Sequence, residues 1–123
     1  MSFSQTDLIW NRAALESGGN TARTGDRALA DLLLAHGTVM NGGVGHAVEA
    51  LSLDEFSAAI AGFRFFGFDE VALLLQEVLK APEQTLELAD GSYGSLIPDD
   101  QVLVERFEAY YRSSPQAFAP IDP

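Results

Sequence analysis

The chain has 123 residues, of which 47% are hydrophobic, and its 18 acidic and 7 basic residues give a formal net charge of −11. This length fits one domain, and the hydrophobic fraction is typical of a folded protein and excludes a disordered one. A field of this sign repels nucleic acid and anionic membranes and attracts cations or basic protein surfaces. The lack of cysteine excludes disulfides and thiolate metal sites.

The beginning of the chain bears on localisation. Residues 1–10 carry no basic region and no apolar run, so the sequence predicts no signal peptide. No apolar stretch approaches the roughly 20 residues that a membrane-spanning helix needs. We therefore expect a cytoplasmic protein without a membrane partner.

The negative charge is concentrated in the second half of the chain. Residues up to Arg64 include seven acids and four bases, a net charge of −3, and the residues beyond it include eleven acids and three bases, a net charge of −8. The second half is therefore where we expect a basic partner to bind.

The first half predicts three helices. A first helix begins at a cap formed by Ser4 or Thr6 and ends before the glycines at positions 18 and 19. A second helix runs from Asp26 to Met40, where apolar residues recur at helical spacing. A sharp structural turn separates it from a short third helix, because paired glycines supply positive φ at low steric cost. The residues of this turn are Asn41, Gly42 and Gly43.

Two further helices have clear boundary signals. Residues 52–55 read S-L-D-E, a capping box in which the serine and the glutamate satisfy each other's backbone donors, and the helix it opens extends to near Gly67. Apolar residues at i, i+3, i+4, i+7 and i+8 from Val71 to Leu79 give the strongest amphipathic pattern in the chain. Pro82 ends this fifth helix.

The last third of the chain is less regular. Residues 81–98 contain a short alternating segment without a partner strand, so we predict an ordered loop. Asp99 and Asp100 begin a last helix, and the prolines after residue 113 favour an extended tail. The predicted fold is all-α, a compact single-domain bundle of five or six helices over residues 1–113 with a Pro-rich tail over residues 114–123.

Two histidines are the candidates for metal binding or catalysis. His36 lies on the apolar stripe of its helix and is interpreted as a core histidine with a satisfied hydrogen bond. His46 projects from the opposite side of its helix to Val44 and is interpreted as a surface residue. With Glu49 they would form a two-histidine, one-carboxylate set, as in a small metal-binding protein or enzyme. Because such spacing is common by chance, we predict no metal, no cofactor and no catalytic residue, and keep this set as an alternative.

A second alternative rests on the aromatic residues. Trp10 and a cluster of four phenylalanines exceed what one face of a small bundle can bury, which favours a homo-oligomeric structural protein. The phenylalanines are Phe63, Phe65, Phe66 and Phe68.

Several motifs together suggest a family. They are V-M-N-G-G-V over residues 39–44, G-F-R-F-F-G over 62–67 leading into E-V-A over 70–72, and P-D-D over 98–100 before a helix with Phe107, Tyr110 and Tyr111. Through these motifs, residues 26–111 resemble the bacterial DNA-mimic-protein C-terminal-like family, whose function is largely unknown. That family usually has an aromatic residue after the glycine pair, where this chain has Val44.

The resemblance implies an all-helical fold and no enzyme activity. The best-known acidic member of the family is a dimer that displays carboxylates in a pattern like DNA phosphates and occupies a DNA-binding protein. For this chain the resemblance therefore implies a homodimer whose partner is a basic DNA-binding protein and which does not itself bind nucleic acid.

Phosphate mimicry requires rows of carboxylates. Acids at i, i+3, i+4 or i+7 on a helix lie roughly 5–11 Å apart. Two rows are predicted, Glu70 with Glu77 and Glu105 with Glu108, and other acids extend them: Asp99, Asp100, Glu83, Glu87 and Asp90. Arg106 and Arg112 interrupt the second row, whereas a phosphate row carries no positive charge. The resemblance, together with the excess of acidic residues, implies a non-enzymatic, acidic protein-binding module that acts as a DNA mimic.

Overall fold

The computed structural model describes residues 4–121, which form seven α-helices and one 3-10 helix. The α-helices are α1 (Gln5–Glu16), α2 (Thr24–Gly42), α3 (Val44–Ala50), α4 (Leu53–Phe65), α5 (Asp69–Lys80), α6 (Pro82–Leu96) and α7 (Asp100–Ser113), and the 3-10 helix is Pro115–Ala117. No residue in this range belongs to a strand, so the all-α prediction is confirmed, with seven helices in place of five or six. None of the described helices is long and apolar enough to cross a membrane.

The long helix α2 is the centre of the bundle. Helices α1, α3 and α4 pack directly against it, α5 packs on α4, and α6 packs on α5 and α3. The core contains Leu29 and Leu32 of α2, Phe63 of α4 and Leu75 of α5, all of which are buried. The predicted caps are present, since Ser4 caps α1 and the Ser52–Glu55 capping box begins α4.

Helix α6 replaces the predicted loop over residues 81–98. Pro82 occupies its first turn, where a missing backbone N–H is tolerated. The helix continues through Gly91 and Gly94, although glycine in a helix costs about 1 kcal/mol relative to alanine. Ala89 and Tyr93 are buried against the rest of the bundle, and this tertiary packing outweighs the weak local propensity.

The turn between α2 and α3 consists of Gly43 alone. Asn41 and Gly42 belong to α2, so the predicted three-residue turn is too long. Gly43 has a φ of 91°, and a Cβ there would lie 3.0 Å from a carboxylate oxygen of Asp90. That carboxylate accepts a hydrogen bond of 2.7 Å from the backbone N–H of Val44 and so caps α3 from another helix.

The chain after α7 folds back onto the bundle, which corrects the prediction of an extended tail. Phe118 and Ala119 are each only 2% exposed. The Phe118 ring contacts Phe66 and Phe107, with ring centroids 6.4 and 5.4 Å apart respectively. The tail is therefore short. Pro123, which belonged to the predicted tail, lies outside the described residues.

A buried carboxylate holds this C-terminal segment. Asp26 is fully buried and accepts hydrogen bonds from Arg12 Nη2 at 2.8 Å and from the backbone N–H groups of Arg23 at 2.9 Å and Ala119 at 2.7 Å. Arg12 also donates to the carbonyl oxygen of Ala119 at 2.8 Å. Asp26 thus joins α1, the start of α2 and the C-terminal segment through one charged group.

Candidate partner-binding surface

Most carboxylates lie at the surface. Between residues 4 and 121, fourteen of the seventeen acidic residues are exposed, and the exceptions are Asp26, Asp31 and Glu108. Within the same range the ion pairs are Arg12 with Asp26 and, when its ring is protonated, His36 with Asp100. Almost all exposed carboxylates of the described chain therefore lack an ion-pair partner.

Several basic side chains are engaged in internal contacts. Besides Arg12, Arg23 donates to the backbone carbonyls of Gln116 and Phe118 at 3.2 and 3.4 Å. These contacts hold the Arg23 guanidinium against the C-terminal segment.

Arg106 on α7 is turned away from the acids of its own helix. It donates to the backbone carbonyl of Phe66 at 3.1 Å, and its guanidinium lies over the Phe68 ring at 4.6 Å from the ring centroid. Arg112 is exposed and lies seven residues after Glu105, on the same face of α7. Of the two arginines predicted to interrupt the row of acids on α7, Arg112 therefore still does so.

The predicted α7 row does not form as expected. Glu105 is exposed and accepts a hydrogen bond of 3.4 Å from Gln101. Glu108 is half-buried and accepts a hydrogen bond of 3.2 Å from the Thr6 hydroxyl, so its carboxylate faces α1. Asp99, at the N-cap position of α7, is exposed.

The predicted α5 row is present but lies near positive charge. Glu70 and Glu77 are exposed and separated by two helical turns, about 10.5 Å. Glu70 shares a shallow surface depression with Arg106. Glu77 shares another with Arg64 and Lys80. Cations close to both carboxylates make this row a poor imitation of a phosphate strand.

A third row, which the sequence does not predict, lies on α6. Glu83, Glu87 and Asp90 occupy positions i, i+4 and i+7 of this helix, and all three are exposed. No lysine or arginine lies on α6. We call these three residues the α6 acid row. The sequence named them only as extensions of other rows, because residues 81–98 had been predicted as a loop and a loop gives carboxylates no common face.

His36 is buried between two partners. The hydroxyl oxygen of Tyr93 lies 2.8 Å from Nδ1, and Oδ1 of Asp100 lies 2.7 Å from Nε2. Because an ionised carboxylate only accepts, Nε2 is the donor, and the Tyr93 hydroxyl satisfies Nδ1 whether the ring is neutral or protonated. Burial raises the pKa of the Tyr93 phenol above its ordinary value, and the negative charge of Asp100 raises it by a smaller amount. The interpretation of His36 as a satisfied core histidine is confirmed.

The alternative metal set is not assembled. Among residues 4–121, no group of three His, Cys, Asp or Glu side chains is placed to hold a metal ion. Both nitrogens of His36 are already engaged. His46 is half-buried, and its ring packs closely on Gly42, where an added Cβ would lie 2.7 Å from the ring. The hypothesis that His36, His46 and Glu49 form one site is therefore wrong.

The aromatic cluster is internal. Phe63, Phe66 and Phe68 are buried, and Trp10 and Phe65 are partly buried against the same core. The folded-back C-terminal segment places the Phe118 ring against Phe66, which the sequence could not reveal. The observation that suggested a homo-oligomeric structural protein is thereby removed.

Fold and surface together define an acidic all-α domain whose carboxylates are mostly exposed and unpaired. The family model for DMP19-like protein matches residues 21–122, and the chain belongs to this family. The resemblance found in the Asn-Gly-Gly motif and its flanking helices is confirmed. Val44, which stands where an aromatic residue was expected, is fully buried in the core. Neither a curated protein nor a solved structure matches the chain.

Proposed function

We propose that this protein is a non-enzymatic binding module that holds a basic DNA-binding protein by presenting carboxylates where DNA presents phosphates. The α6 acid row carries the proposal, because it is a line of exposed carboxylates on a helix that has no basic residue. Family membership supports it only at the level of the fold.

The spacing of the α6 acid row is compatible with phosphate mimicry. Residues four and three positions apart on a helix are separated by rises of about 6 and 4.5 Å. One to two base steps along a DNA strand span roughly 3.4–6.8 Å. A groove-binding protein that places lysines and arginines to meet successive phosphates could therefore meet Glu83 and Glu87 instead, whereas the Asp90 carboxylate already accepts a hydrogen bond from the Val44 N–H.

The hydrogen-bonded pair of His36 and Tyr93 lies inside the bundle. His36 and Tyr93, which are hydrogen-bonded to each other, are 5% and 2% exposed, so neither offers a reacting atom to a substrate. The net charge of −11 attracts a basic partner at long range and raises its association rate.

Charge reversal of the α6 acid row tests the proposal. The partner is first captured from cell extract at low salt and identified by mass spectrometry. Its affinity is then measured by calorimetry for the double variant Glu83→Lys/Glu87→Lys. Asp90 is left unchanged because it caps α3. We expect a loss of at least tenfold, or about 1.4 kcal/mol.

The matched control is Glu16→Lys/Glu49→Lys, which changes the net charge equally at exposed positions on α1 and α3. It should lose much less affinity than the α6 variant. Short duplex DNA added as a competitor should displace the protein from its partner. Equal losses in the two double variants, or no competition by DNA, would contradict DNA mimicry.

A further inference from the structure

A separate groove lies on another part of the surface. It has a volume of about 800 Å³ and runs between α1, α2, α3 and the start of α4. Its apolar lining includes Leu33, Leu34 and Leu51, and its polar lining includes Asp31, His46 and Glu55. None of its lining residues comes from α5, α6 or α7, so the groove shares no residue with the α6 acid row.

The shape of the groove suits a helix. Its α2 side runs from Ala30 to Asn41, about 16 Å or three helical turns. Leu34 lies within it and is 46% exposed. Packing a second apolar surface against Leu34 would remove that area from water.

Gly37 leaves the middle of the groove without a side chain. It lies in the interior of α2, where glycine costs about 1 kcal/mol relative to alanine. A Cβ at this position would meet no atom within 4 Å, so the folded chain itself has no steric need for glycine here. A missing side chain in the middle of a groove allows another backbone to approach α2 closely.

Charge identifies the kind of occupant. The described residues lining the groove include two carboxylates, Asp31 and Glu55, and no lysine or arginine. Burial raises the pKa of the Asp31 carboxyl, and within residues 4–121 no basic side chain forms an ion pair with it. A cation brought into the groove would compensate this partly desolvated charge.

We propose that the groove binds an amphipathic helix of a partner protein, with apolar side chains seated on Leu33, Leu34 and Leu51 and a lysine or arginine that pairs with Asp31. This site is independent of the α6 acid row and does not require DNA mimicry. The binding mode is that of a helix lying in an apolar groove, with specificity added by charge at the rim.

The test uses designed peptides and the full chain. The first peptide, of about 14 residues or roughly 21 Å as a helix, carries leucines at i, i+3, i+4 and i+7 and lysines on the flanks. The second replaces the lysines with glutamates, and the third has the composition of the first in scrambled order. Binding is followed by NMR chemical-shift changes. We expect only the first peptide to bind, with the largest shifts at Leu34, Gly37 and Thr38.

Two variants distinguish binding from structure. Gly37→Leu fills the groove and removes a helix-interior glycine, and Asp31→Asn removes the charge that pairs with the peptide. Each should weaken peptide binding at least tenfold while remaining at least as stable as the parent chain in thermal unfolding. Glu83→Gln/Glu87→Gln should bind the peptide normally, so failure of the DNA-mimic proposal leaves this result unaffected.

Three results would overturn the proposal. The first is equal binding of the scrambled basic peptide, which would show attraction by net charge alone. The second is unchanged peptide affinity in both groove variants. The third is concentration-dependent self-association that Gly37→Leu abolishes, as measured by sedimentation, because the occupant would then be a second copy of the chain.

Discussion

Asp26 is a single side chain on which distant parts of the chain depend. The sequence predicts a helix that begins at Asp26. Its partners Arg12 and Ala119 lie 14 and 93 residues away, and no local pattern encodes contacts of that range. Sequence reasoning therefore found the residue but not its function in holding the C-terminal segment.

Replacing Asp26 should be strongly destabilising. Asp26→Ala leaves Arg12 without its ion-pair partner and leaves the Ala119 N–H without an acceptor. Loss of one member of a buried pair costs about 3–5 kcal/mol. Urea denaturation measures the change, with exposed Glu16→Gln as a control expected within about 0.5 kcal/mol of the parent. A loss below about 1 kcal/mol would contradict the described burial of this pair.

Asp31 should make stability depend on pH. Burial raises the pKa of its carboxyl above the ordinary value of 3.8, so the folded state holds this proton more firmly than the unfolded state. This contribution to stability therefore decreases as pH rises from the ordinary value through the raised folded value, and it stays constant above. Asp31→Asn should be more stable than the parent at neutral pH, and the difference should disappear at low pH. Denaturation at several pH values tests this, and a destabilised variant at neutral pH would contradict it.

Helix α6 differs from the other helices because tertiary packing, and not its local sequence, determines that it is helical. Helices with caps and a clear apolar period were predicted, as the capping box of α4 and the amphipathic pattern of α5 illustrate. Residues 82–96 have an initial proline, two glycines and a narrow apolar face, so their helix depends on burial of Ala89 and Tyr93. The α6 acid row was missed for the same reason, since its alignment exists only if the helix does.

Glycine substitutions test whether α6 is a helix. Gly91 and Gly94 are exposed, and a Cβ at either would meet no atom within 4 Å. Gly91→Ala and Gly94→Ala should each stabilise the protein by about 0.5–1 kcal/mol in thermal unfolding. Gly43→Ala is the contrasting variant and should be destabilising, because Gly43 has a φ of 91°. No gain at either α6 position would favour the loop that the sequence predicted.

At the scale of the whole molecule, the distribution of charge is the property on which function depends. The sequence predicted an all-α fold, its family and an acidic second half. It did not predict that Arg23 and Arg106 are bound to backbone carbonyls, or that Glu108 faces α1. Which carboxylates remain free is a tertiary property, because it depends on how the C-terminal segment and α7 pack against the rest of the chain.

The salt dependence of partner binding tests the central claim most directly. Affinity for the captured partner is measured by calorimetry between about 50 and 200 mM salt, the range over which contacts to phosphate-like charge weaken steeply. If carboxylates replace phosphates, the logarithm of the affinity should fall linearly with the logarithm of salt concentration, and Glu83→Lys/Glu87→Lys should make this slope shallower. An affinity that does not change with salt would contradict recognition through the acidic surface.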